Sequence, residues 1–218
     1  MSIEQIKITE QISYIKASDN PLSADVILVD GQNYLYVFDV GNNEQVAEYL
    51  NSIPKKKRVI LSHFHTDHMG NIGRVQWENV FFGANTEKYF QHYIPDYAAQ
   101  LPRYVTVFDT VTIQDGVSVE IHPVPNSHAK GSLLLQVNEE TIFIGDSLYS
   151  KVEGETYVYN AQLLKEEIEL LKELPGNQIF SCHEARPIKA KAGVLRFLEQ
   201  IYAKREKNDA YIRVSRKE

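Results

Sequence analysis

Ser62-His63-Phe64-His65-Thr66-Asp67-His68-Met69-Gly70 places three histidines and an aspartate within six residues. Histidines at i, i+2 and i+5 do not share a helix face, so a loop between a strand and a helix must present them. Thr66 or Asp67 is placed to cap a helix starting near His68. The segment before the motif reads as a strand. Basic Lys55-Lys56-Lys57-Arg58, read as a solvated surface run, leads into Val59-Ile60-Leu61, a continuous apolar run typical of a strand buried in a parallel sheet. Imidazole and carboxylate together suit zinc, iron or manganese better than magnesium or calcium.

Outward from the motif, the chain alternates strand and helix signals. Residues 12–15 and 24–29 are β-rich and separated by the turn former Ser18-Asp19-Asn20-Pro21. Asp30-Gly31 predicts a hairpin into Tyr34-Leu35-Tyr36-Val37-Phe38, with a tight turn at positive φ. That strand ends at Asp39. Asn42 or Asn43 caps a helix through Leu50, with Val46, Ala47, Tyr49 and Leu50 on its apolar face, and Pro54 stops it. Downstream, Val80-Phe81-Phe82 reads as a strand and residues 86–97 as a short aromatic helix or loop. Three β-like runs fill 104–124, with turns at Asp109 and Asp115-Gly116, and a further hairpin spans 133–144. Helices are expected over 160–174 and 189–204, on either side of a strand at 178–181.

The two halves echo each other. Each has a hairpin ending in a carboxylate (Asp39, Asp146), a helix, and a strand ending in a histidine (His63, His183). Two β-rich halves packed face to face with helices outside make a four-layer αββα sandwich. Asp39, His63, Asp146 and His183 then lie at the carboxyl ends of strands, where sheets of this kind gather ligands. One domain over residues 1–218 is expected.

Further ligand-type residues stand in turn contexts: His128 in Asn126-Ser127-His128-Ala129, Asp146 in Gly145-Asp146-Ser147, and His183 in Ser181-Cys182-His183-Glu184. With these, the chain resembles the metallo-β-lactamase superfamily of hydrolases over nearly its whole length. The resemblance implies the αββα fold and a dinuclear metal site: His63, His65 and His128 on the first ion, Asp67, His68 and His183 on the second, Asp146 bridging them, and Asp39 orienting ligands from behind. Asp67 and Asp146 are the residues it marks as catalytic. Two divalent cations carry four positive charges against two from these carboxylates. The excess favours a bridging hydroxide and an anionic transition state.

Departures from relatives narrow the activity. Thr66 stands where flavodiiron oxygen reductases would place a metal-binding glutamate, and no flavin domain follows. The carboxylate Asp146 is similar to the thioesterase, lactonase and phosphodiesterase branches and unlike true β-lactamases. Glyoxalase II is similar in its metal motifs, but only 35 residues follow His183, and its glutathione-contacting basic residues find no match. Ser127 replaces the glycine common before the third-motif histidine. The expected activity is therefore glyoxalase-II-like hydrolysis of another small ester, thioester, lactone or phosphodiester, with two divalent ions, zinc first and iron or manganese as substitutes. The alternatives are a mononuclear iron oxygenase resembling persulfide dioxygenase and a low-turnover metal-binding regulatory protein.

Other residues carry less. Tyr89, Phe90, Tyr93 and Tyr97 form one aromatic cluster and Tyr149, Tyr157 and Tyr159 a second, with Tyr149 the candidate substrate contact. His92 reads as exposed, His122 as structural, and Cys182 as a core thiol. The basic tail from Lys204 reads as solvated. Composition excludes other classes: the net charge of −6 gives no overall attraction for nucleic acid or anionic membrane. A small-molecule substrate is the expected partner. No apolar run reaches the roughly 18 residues that span a bilayer. The single cysteine forbids an internal disulfide, and the polar start Met1-Ser2-Ile3-Glu4 gives no export signal, so the cytoplasm is the expected compartment.

Overall fold

Side-chain alternation sets the layers. In the strand Val26–Asp30, Ile27 and Val29 point to one face and Val26 and Leu28 to the other, and all four are buried, so both faces must be covered. The computed structural model, which describes residues 3–94 and 97–216, shows what covers them. Met1 and Ser2 of the amino-terminal segment, Lys217 and Glu218 of the basic tail, and the side chain of Tyr97 lie outside the described residues.

Among the described residues, the first sheet has seven strands. Gln5–Lys7, Ile12–Ile15, Val26–Asp30 and Leu35–Phe38 pair antiparallel, and Lys57–Ile60, Asn79–Phe82 and Tyr104–Thr106 continue in parallel. The second has six. Val111–Gln114, Ser118–Val124, Ser132–Val137 and Thr141–Phe143 run antiparallel; Gln178–Phe180 joins in parallel and Ile188–Ala190 closes the edge. Ile27, Val29, Tyr36, Phe38 and Ile60 of the first sheet meet Val119, Ile121, Leu133, Leu135 and Phe143 of the second in one central core.

The residues of opposite parity pack outward. Val26, Leu28, Val37 and Val59 pack with helices α1 (Glu44–Ser52), α2 (Thr66–Met69) and α3 (Ala84–Phe90) through Val46, Leu50, Met69 and Phe90. Leu134, Ile142 and Ile179 pack with α4 (Ala161–Glu173) and α5 (Lys191–Ala203) through Leu164, Ile168, Val194 and Leu198. The layers are therefore αββα. The internal echo is also real in topology: each half runs from an antiparallel hairpin through a helix to a parallel strand. Asn43 caps α1 by accepting from Gln45 N–H, and Asn160 caps α4 by accepting from Gln162 and Leu163 N–H.

Several expectations need correcting. The hairpin after Asp30 forms, but Gly31 does not take positive φ. The connection is built around Asp115, whose carboxylate accepts from Asn33 N–H and Tyr34 N–H at 3.0 Å; a Cβ on Gly31 would lie 2.5 Å from Asp115 Oδ2. Glycine is needed there for close approach. The run 55–58 is not freely solvated: Lys57 is 5% exposed with Nζ donating to the Ile53 and Lys55 carbonyls, Lys55 pairs with Asp30, and Arg58 lies over the Tyr34 ring. The tail is not merely solvated either. Tyr211–Ser215 pairs with Thr156–Asn160, which also pairs with Lys151–Glu153, and Ile212 is buried beneath this small sheet.

Candidate metal centre

The strand Lys57–Ile60 lies between parallel neighbours, so its end is fixed at the carboxyl edge of the sheet. The chain leaves it through Leu61, whose N–H still donates to Phe81 O, and then turns at Ser62 and His63. His65 is the N-cap residue of α2 but makes no side-chain cap bond. The expected cap at Thr66 or Asp67 does not form: both lie within the helix, Asp67 Oδ2 is 3.2 Å from His183 Nε2, and Thr66 Oγ1 is 3.3 Å from the Tyr93 hydroxyl.

The structure brings the seven candidate ligands together in two groups. His63 Nε2 lies 2.9 Å from His65 Nδ1, which is 3.1 Å from His128 Nε2. In the second group, His68 Nε2 lies 3.4 Å from His183 Nε2 and 3.6 Å from Asp67 Oδ2. Asp146 stands between the groups, with Oδ2 3.3 Å from His68 Nε2 and 3.6 Å from His128 Nε2. Its Oδ1 is buried and has no hydrogen-bond partner among the described residues. A buried carboxylate oxygen without a donor is costly, and a cation is the natural compensation.

Residues behind the cluster fix ring orientation. Asp39 is fully buried; its Oδ1 accepts Ser62 N–H, and its Oδ2 accepts Ser62 Oγ–H and His68 Nδ1–H, each at 2.7 Å. With the Ser62 proton spent on Asp39, His63 Nδ1, 3.0 Å away, must donate to Ser62 Oγ. This network assigns Nδ1–H to His63 and His68 and leaves both Nε2 atoms facing the cluster, the orientation that metal-ligating histidines need. Asp39 adopts φ 62° to turn its carboxylate back, and His183 adopts φ 61°. Each such residue costs on the order of 1–3 kcal/mol, a strain typical of functional sites. Gly145, at φ 56°, brings the Asp146 turn over Ser62; a Cβ there would lie 2.9 Å from Ser62 Cβ.

The electrostatics divide along the same line. Burial, reinforced by neighbouring histidines, holds His63 well below the usual histidine range, and burial also lowers His65 and His128. These three stay neutral, with lone pairs available. Burial alone would also lower His68, but Asp39 and Asp146 outweigh it and raise it to about 10. Burial would raise the Asp67 and Asp146 carboxyls, yet His183 beside Asp67 and His68 beside Asp146 hold both low. Counting protein groups alone, a proton on His68 therefore sits in the second group where a cation would otherwise balance the carboxylates. All seven groups fit divalent ions: three neutral imidazoles on one side, two imidazoles and a carboxylate on the other, and a carboxylate shared between them.

Other expected residues fall as follows. The Tyr149 hydroxyl donates to Cys182 O at 2.7 Å, and its ring centroid lies 6.3 Å from that of His128. Cys182 is a core thiol, although it also lies close to Asp39 and His68. His92 is exposed, and His122 is buried with Nδ1 3.0 Å from Thr110 Oγ1. Of the aromatic clusters, Tyr89 stacks on Phe64 at 4.4 Å beside His65. Sequence reasoning missed three supports. Asn126 Oδ1 accepts His128 N–H and Ala129 N–H, Ser62 links Asp39 to both histidines, and Asp25 Oδ2 accepts His183 N–H. Asn126 alone had a local signal, an Asn two residues before a ligand-type histidine.

Residues 19–183 match the metallo-beta-lactamase superfamily. A hydroxyacylglutathione hydrolase of Shewanella halifaxensis is 27% identical over 154 residues, covering 69% of this chain and 57% of that protein. The chain thus spans less than two thirds of that relative's length. Among solved structures, an archaeal metallo-beta-lactamase superfamily protein from Sulfolobus tokodaii superposes with a TM-score of 0.63 at 18% identity, covering 93% of this chain and 90% of that one. A metallo-beta-lactamase from Pontibacter korlensis gives 0.65 at 17% identity, with 91% and 98% covered. A flavo di-iron protein from Thermotoga maritima gives 0.68 at 9% identity, with 95% and 64% covered. At these identities the structures bear on the fold alone. Together with the His/Asp cluster, the sequence match supports the binding of divalent metal. The chain belongs to the metallo-beta-lactamase superfamily.

Proposed function

We propose that the protein is a dinuclear metallohydrolase, with zinc as its working metal, that cleaves a small thioester or ester; lactones and phosphodiesters belong to the same chemical reach. The observation that carries this reading is Asp146: a buried carboxylate between two ligand groups, with one oxygen that has no hydrogen-bond donor among the described residues. His63, His65 and His128 would hold one ion, Asp67, His68 and His183 the other, and Asp146 both. Two such ions supply a water of lowered pKa and Lewis-acid stabilisation of an anionic transition state.

The chain's own groups prepare that chemistry. Asp39 and Ser62 keep the Nε2 atoms of His63 and His68 turned to the cluster. Asn126 holds the His128 loop, and Tyr149 holds the loop of His183 through the Cys182 carbonyl. The stacked Phe64–Tyr89 pair beside His65 offers an apolar wall for an acyl group, and Tyr149 a second wall beside His128. The thioester preference is supported by the hydroxyacylglutathione hydrolase relative. Elemental analysis followed by a panel of thioesters, esters, lactones and phosphodiesters tests the reading. Two equivalents of zinc and thioester turnover are expected, and a metal-replete protein inert to the whole panel would overturn it in favour of a binding role.

A further inference from the structure

Three consecutive residues, Ser23, Ala24 and Asp25, each bind a different segment of the cluster. Ser23 Oγ accepts Asn42 N–H at 2.9 Å, in the loop that follows Asp39. Ala24 N–H donates to the Asp67 carbonyl at 2.9 Å. Asp25, 2% exposed, accepts on both oxygens: Oδ2 from His183 N–H and Oδ1 from Ala17 N–H, each at 2.9 Å. His183 itself is a non-glycine residue in the left-handed region, a conformation that persists only where the surroundings over-determine it. The flanking backbone is pinned by Tyr149 Oη–H on Cys182 O and by Cys182 N–H toward Gly145 O. Asp25 is the group that pins the ring-bearing residue.

We propose that Asp25 is a positioning residue for His183 and, through it, for the Asp67/His68/His183 half of the centre alone. The inference rests on the dinuclear reading above. Its selectivity follows from the bonds: among the described residues, those made by residues 23–25 reach Ala17, Ser18, Asn42, Asp67 and His183, and none of them goes to His63, His65 or His128. A carboxylate suits the task because it accepts two N–H groups at once. An amide offers one oxygen, and its NH2 would face the other N–H without a bond.

The test is a double-mutant cycle of Asp25→Asn and His183→Ala, read by zinc titration against a competing chelator and by the visible spectrum of the cobalt-substituted protein. Asp25→Asn should weaken the second equivalent roughly ten- to a hundredfold and perturb its cobalt bands, with the first equivalent unchanged within about twofold. In the His183→Ala background the same change should add no more than about twofold. Equal weakening of both equivalents, or an undiminished loss without His183, would overturn the proposal. Wild-type protein that takes up fewer than two equivalents would instead defeat the dinuclear reading. Should Asp25→Asn not fold, hydrogen exchange of the His183 amide in unaltered protein decides: it should slow on the second equivalent and not the first, and exchange indifferent to the second overturns the proposal.

Discussion

Asp39→Asn replaces one oxygen by an amino group in a place that cannot shift. Asp39 Oδ1 accepts a backbone N–H, from Ser62, so the amide oxygen must stay there. The new NH2 then faces Ser62 Oγ, which can rotate to accept, and His68 Nδ1, which can accept only as the other tautomer. The proton moves to Nε2, the atom 3.3 Å from Asp146 and 3.4 Å from His183 Nε2. A protonated Nε2 offers no lone pair. Changes behind a ligand of this kind cost about 10- to 100-fold in metal affinity, or about 1.4–2.7 kcal/mol. Folding should suffer less than from Asp39→Ala, since the bonds survive and only lose their charge assistance, a loss of about 1–2 kcal/mol. Zinc titration gives the affinity, and 15N NMR of the His68 ring gives the tautomer. A variant that binds zinc as tightly as wild type, with His68 still protonated on Nδ1, would refute the reasoning.

Asp146→Ala should lower zinc content and abolish turnover on the substrate panel, because it removes the carboxylate between both groups; elemental analysis and initial rates check this, and full activity with full metal would sink the assignment. In protein freed of metal by chelation, His68 has a folded pKa of about 10, above the roughly 6.5 of an unfolded chain. Its stabilising effect is therefore complete below about pH 6.5 and is lost as pH rises through about 10. Denaturant midpoints should fall across that window, and the fall should shrink in Asp39→Asn, where Asp146 alone is left to raise His68. Gly145→Ala should cost on the order of 1–3 kcal/mol in urea unfolding, from the left-handed backbone and the crowding on Ser62.

Legibility in the sequence followed the range of the interactions. The motif from His63 to His68 could be read because its ligands are dense and local, and the αββα layers because each half repeats a hairpin ending in a carboxylate, a helix and a strand ending in a histidine. The small sheet was not legible. Lys151–Glu153 is wholly exposed, and Thr156–Asn160 finds its other partner in Tyr211–Ser215, far along the chain. The basic run 55–58 looked solvated because its partners Asp30 and Tyr34 belong to a neighbouring hairpin. Asp25 gave no signal, since its bond to His183 joins residues 158 apart and only the packed topology makes them neighbours.

The most direct test of the central claim is reversible metal removal with activity followed at each occupancy. Chelated protein should lose thioester hydrolysis while keeping its fold, and added zinc should restore it, with full rate only at two equivalents. Hydrolysis that survives complete removal of metal, or a protein that takes up none, would contradict the account.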